Sequence, residues 1–120
     1  MLALVAGLCF TAQAIETFSK NAVGNLETAA VWTLGAPTSS DVAVWQVSGN
    51  GARTNALGAD VSWLGIRVDT AVNRDIVINT TGTGALTLGS SGIDMSAVPT
   101  DVTRNLFTIK PNVILGATQT

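Results

Sequence analysis

The chain has 120 residues, enough for one domain, and a net charge of −2 with six basic side chains; this balance excludes an electrostatic footprint for nucleic acid or anionic lipid. It has no histidine, so the commonest general base, the neutral metal ligand and the switch near neutral pH are all missing. At 47% hydrophobic, 12% charged and a mean hydropathy of +0.41, the chain is too apolar to be disordered by composition.

The first element is an address label. Leu2 to Phe10 is an unbroken run of apolar and small residues, followed by the small-x-small pattern Ala12-Gln13-Ala14. This predicts a signal peptide over residues 1–14, cleaved after Ala14. The run is shorter than the about 20 apolar residues that a spanning helix needs, so it is read as a signal and not as an anchor. No basic residue precedes Lys20, whereas a secretory signal opens on Lys or Arg, and a start upstream of Met1 is expected. Cys9, the single cysteine, falls inside the signal. The mature chain is then without thiol catalysis, disulfides or thiolate metal sites. The bulky Leu8 before Cys9 argues against lipid attachment there.

Downstream, helical periodicity is lacking and short β-type runs recur. Strands are expected at Asp41–Val47, Ser62–Val68, Asp75–Asn79, Ala85–Leu88, Ile93–Ser96, Asn105–Lys110 and Val113–Leu115, bounded by Gly, Asn, Pro or Ser. Leu64, Ile66 and Val68 alternate with Gly65, Arg67 and Asp69, and Ile76 and Ile78 with Asp75 and Asn79. Each such strand should have an inside and an outside.

Leu-Gly recurs at Leu34-Gly35, Leu57-Gly58, Leu64-Gly65, Leu88-Gly89 and Leu115-Gly116. The intervals from Leu34 to Leu57, Leu64 to Leu88 and Leu88 to Leu115 are each about 25 residues, the length of one coil of two or three short strands with corners. The leucine, or its neighbour at i−2, should fill the coil interior, while the glycine permits a positive φ or a close backbone approach. A β-sandwich is the competing architecture. Its hairpin signals are weak: Asn50-Gly51 is the exception, and it predicts one early hairpin or capping sheet.

The segment Val31-Trp32-Thr33-Leu34-Gly35-Ala36-Pro37-Thr38-Ser39-Ser40-Asp41-Val42-Ala43-Val44-Trp45 resembles the opening module of bacterial proteins that carry the autotransporter-associated β-strand repeat. The phrases at 57–66, 86–95 and 113–120 are similar to strand and corner phrases of the same family. The resemblance covers residues 27 to 120 in patches, through motifs that are individually low in information. It implies an all-β, right-handed parallel β-helix: a cap segment over 15–52 and the first coils over 53–120, continuing beyond them. It also implies an exported passenger at or released from the cell surface or outer membrane, with further repeats of its own chain and a polysaccharide or host matrix surface as partners. The family supplies no catalytic residues.

Candidate sites are few. Trp32, Trp45 and Trp63 could stack glycans on an exposed β face, although Trp32 and Trp45 flank the segment expected to cap the first coil, and Trp63 could pack on a neighbouring turn. Asp41, Asp60, Asp69, Asp75, Asp94 and Asp101 lie beside turns or strand ends. There a carboxylate accepts backbone N–H bonds, and no partner base or cation marks glycoside chemistry. The Gly-Gly-x-Gly-x-Asp calcium repeat is missing from the sequence. Asn79-Thr80-Thr81 matches a glycosylation sequon, without meaning in a bacterial chain. Gly82-Thr83-Gly84 and Gly49-Asn50-Gly51 read as turns, since neither has the helix start or lysine of a phosphate loop. The expectation is a non-enzyme with no catalytic, metal or cofactor-binding residue. The competing reading is a secreted carbohydrate-binding or polysaccharide-active module.

Overall fold

A computed structural model describes residues 13–20, 22–46, 53–69, 75–98 and 106–119. Their strands are β1 (Ile15–Phe18), β2 (Asp41–Trp45), β3 (Arg53–Leu57), β4 (Val61–Val68), β5 (Ile76–Thr80), β6 (Ala85–Asp94), β7 (Phe107–Ile109) and β8 (Asn112–Leu115). One sheet has the order β1-β2-β4-β6-β8 and the other β3-β5-β7. Every strand pair is parallel. From β2 onwards successive strands therefore alternate between the sheets, and each stacks on its equivalent one coil later: the fold is a β-solenoid of about three turns. The segment read as a signal peptide lies outside the described residues except for Gln13 and Ala14, both exposed.

The pairing shows that the repeat interval drifts. Val42 lies beside Gly65, a short step along the chain. The step from Val61 to its neighbour Leu86 is longer, and beyond the bulge the step from Gly65 to Gly92 is longer again. The second sheet spans the widest range, with a short step from Arg53 to Ile76 and a much longer one from Ile76 to Phe107. Parallel pairing needs only that equivalent strands meet, so corners absorb the differences.

Inward-facing residues form one core of Leu26, Val31, Trp32, Ala43, Trp45, Leu57, Trp63, Ile66, Val68, Ile76, Ile78, Leu86 and Leu88. Both sheets contribute, and so does the excursion between β1 and β2. A coil's apolar column has no cover of its own, and the neighbouring coils and the end segment supply it.

Several expectations are corrected. Ala85–Leu88 and Ile93–Ser96 are not two strands: β6 runs through, with a register shift against β4 between Trp63 and Gly65. The extra residues of that irregularity lie on β6, between Leu88 and Gly92, and the inside/outside alternation of β4 changes phase at the same place. Trp63 lies within the strand and fully buried, whereas Leu64 is only half-buried and Ser62 is exposed. The Leu-Gly rule fails at Leu64 for this reason. It holds at Leu57 and Leu88, which are buried, and at Leu34 through its neighbour, since Leu34 is 71% exposed while Trp32 is buried; it fails at Leu115, where both the leucine and Val113 are exposed. A Cβ on Gly65 would lie 2.9 Å from the Gly92 carbonyl oxygen, so glycine there permits the close approach of β6.

Two strands go beyond those expected, β1 and β3. Asn50-Gly51 and Val47 lie outside the described residues, but β2 and β3 on either side belong to different sheets and do not form a hairpin. Among the described residues antiparallel pairing is confined to the single bridge between Ser19 and Trp32. Within the segment read as a cap, β1 and β2 are already rungs of the larger sheet.

Candidate functional site

The tryptophans meet in the core. Trp32 and Trp45 have ring centroids 5.3 Å apart, Trp32 and Trp63 5.7 Å, and Trp45 and Trp63 6.0 Å. Trp45 also meets Phe107 edge-on at 5.7 Å. All three indoles are fully buried, and the edge-to-face contacts suit their quadrupoles. The glycan-stacking expectation for Trp32, Trp45 and Trp63 is therefore corrected: none of them offers a ring face to solvent. The indole N–H of Trp32 donates to the Leu26 carbonyl at 2.7 Å. That of Trp63 is buried without a partner.

The end containing Trp32 is closed. A 3-10 turn at Ala29–Val31 brings Leu26, Val31 and Trp32 over the first coil. The Lys20 amide donates to the Val31 carbonyl at 2.7 Å and the Thr33 amide to the Phe18 carbonyl at 2.9 Å, which occupies the outer edge of β1. On the second sheet the Leu26 amide donates to the Ala56 carbonyl at 2.9 Å, and the Asn55 side-chain amide donates to the carbonyls of Ala22 and Gly24 at 3.1 and 2.9 Å. Asn55 is thus a buried polar side chain with partners, the condition under which burying one is tolerated.

The opposite end is open. In β8, Val113, Ile114 and Leu115 are 41%, 52% and 64% exposed, and Leu106 before β7 is exposed as well. β8 covers only Ala85–Leu88 of β6, and Ile93, paired with the buried Ile66 one coil earlier, is exposed.

The aspartates divide. Asp41 accepts from the Thr38 amide at 2.8 Å and hydroxyl at 2.6 Å. Asp60 accepts from the Ala85 amide at 2.8 Å and Asp75 from the Leu106 amide at 3.3 Å, in each case joining one coil to the next. Glu27 does the same for the Gly58 amide at 3.2 Å. Asp94 accepts from the Ser96 amide at 2.9 Å, and that bond holds its carboxyl below the usual range. Asp101 lies outside the described residues. Among the described residues these carboxylates accept hydrogen bonds at strand starts and turns.

Asp69 differs. It takes hydrogen bonds from Nε of Arg67 and, at 3.2 Å, from its Nη2, and Gln46 donates to it at 3.4 Å. Arg67 also bonds Glu16 with both terminal nitrogens, Nη2 to Oε2 at 2.9 Å. The guanidinium holds the carboxyls of Glu16 and Asp69 below their ordinary values, and the two carboxylates raise the pKa of Arg67. The pattern missed this group, because Glu16 and Arg67 lie 51 residues apart in the chain.

The remaining motifs are structural. Thr80 donates to the Gly82 carbonyl at 2.7 Å and Thr81 to the Leu57 carbonyl at 3.3 Å, so the sequon and Gly82-Thr83-Gly84 form a solenoid corner. Gly49-Asn50-Gly51 lies outside the described residues. Among the described residues no three His, Cys, Asp or Glu side chains gather as metal ligands, and no helix is long and apolar enough to cross a membrane. No protein-family model matches the chain, and no curated protein or solved structure matches it.

Proposed function

We propose that this chain is the capped start of an exported, surface-displayed β-solenoid of the autotransporter-associated repeat kind, a scaffold for extension, adhesion or matrix contact. The observation that carries the reading is the difference between the two ends. One is covered by Leu26, Val31 and Trp32, while the other exposes Val113, Ile114 and Leu115 along an uncovered strand. A free, apolar strand edge is a template for another strand, and in a solenoid the next coil fills that place. Export is supported by the apolar run before Ala14 and by the start of β1 at Ile15, the first residue after the expected cleavage.

A scaffold of this kind works through its repeated surface and needs no catalytic group. The corner carboxylates and the inward tryptophans all have structural employment. The reading is tested by following the reading frame beyond Thr120 and by sequencing the N-terminus of the exported protein. Further coils of about 25 residues, each supplying a rung to both sheets, and a mature start at Ile15 are expected. A frame that continues without such coils, with the product retained in the cytoplasm, would overturn it.

A further inference from the structure

β1 is held by different forces from the strands beneath it. None of its residues belongs to the apolar core. The side chains that β1 and its extension bury are the polar Thr17 and Ser19, and Ile15 is 57% exposed. β2, its neighbour, buries Ala43 and Trp45. The half-buried Phe18 is the apolar side chain that holds β1, and it stands outside the core, so the backbone ladder and the polar contacts weigh heavily in whether β1 stays docked.

Those contacts are specific. Thr17 donates its hydroxyl to the Gly35 carbonyl at 2.9 Å, and the Phe18 amide donates to the Thr33 hydroxyl at 3.1 Å. The widest-reaching contact is the paired bond from Arg67 to Glu16. Arg67 is on β4 and Glu16 on β1, with β2 between them, so the arginine reaches over a whole strand. Asp69, itself contacted by Gln46, fixes the guanidinium plane from the other side, and a planar fork held in this way binds a carboxylate bidentately. The other charged group bearing on the cluster is Asp94, the ladder neighbour of Arg67 on β6. On β2 the one charged residue is Asp41, which is bonded to Thr38.

We propose that β1 is a latch strand, docked on and released from β2 while the buried Val31 and Trp32 stay in the core, and that Arg67 is its catch. Release uncovers the outer edge of β2 and with it a place for an incoming strand. The latch answers to salt and acid, which weaken the ion pair, while the coils beneath depend on apolar burial and do not respond in the same way.

Amide hydrogen exchange on the full chain at neutral pH tests this, comparing the unmodified protein with Glu16→Gln and Arg67→Met. Exchange should rise about two- to fivefold at β1, Ser19, Lys20 and Thr33, the range for a partly exposed ion pair, with β5 and β7 unchanged. About 1 M NaCl should have the same effect on the unmodified protein, an arm that decides the question even if a variant does not fold. Exchange that rises equally in β5 and β7, or a β1 indifferent to both salt and substitution, would overturn the proposal.

Discussion

The two ends of the solenoid differ in what lies on top of them. At the first coil an excursion of the chain places Leu26, Val31 and Trp32 over the core and satisfies the outer edges with backbone bonds and Asn55. At the last coil Val113, Ile114 and Leu115 stand uncovered. In a stacked fold a residue's burial is thus a property of its neighbours as much as of its own strand: Leu88 is buried, and Leu115, its ladder partner one coil on, is exposed.

Removing the cover should make the ends alike. Trp32→Ala deletes the largest side chain over the first coil and leaves its hydrogen bond to Leu26 unmade. A loss of about 3–5 kcal/mol is expected from a buried tryptophan, read as a fall in the urea midpoint. Placing the same charge at each end sharpens the contrast. Val31→Lys buries an unpaired ammonium and should cost several kcal/mol, on the order of a buried charge that must neutralise. Leu115→Lys should change stability by no more than about 0.5 kcal/mol while reducing concentration-dependent association, measured by sedimentation.

Smaller effects probe the joints between the ends. Asp60→Ala leaves the Ala85 amide without its acceptor and should cost about 1 kcal/mol in chemical denaturation. Acid should have the smallest effect. The folded-state values of Glu16 and Asp69 are depressed, chiefly by hydrogen bonds from Arg67. Their contribution is therefore present in full above the ordinary carboxylate range and is lost as pH falls through the depressed values. The urea midpoint should decline on acidification there, and Arg67→Met should flatten that decline. Partial exposure of the ion pair keeps the change small.

Much of the architecture was legible in the sequence. Ile76 and Ile78 alternate with polar residues between turn signals and form β5, buried at those two positions. The spacing of Leu88 and Leu115 matched a true ladder pair. β3 was hidden because its inward Asn55 looks like a surface residue until the carbonyls of Ala22 and Gly24 close around it. β1 was hidden for a similar reason, since Thr17 is buried against the backbone of Gly35. Trp63 was misplaced because β4 changes phase where its pairing with a later strand becomes irregular, which no local pattern marks. Among site residues, the role of Asp60 and Asp75 as acceptors at strand starts was legible from local position, and the bond between Glu16 and Arg67 was not, since no local pattern joins them.

The uneven spacing between stacked strands, short from Val42 to Gly65 and long from Ile76 to Phe107, bears on how such a chain can change. A rung is registered by where its strand lands and not by how much chain was used to get there. Additions at a bend therefore leave the column of side chains beneath them in place. A lineage of these molecules can lengthen, decorate or trim its outer bends one at a time, and vary what it shows to its surroundings, without renegotiating the interior.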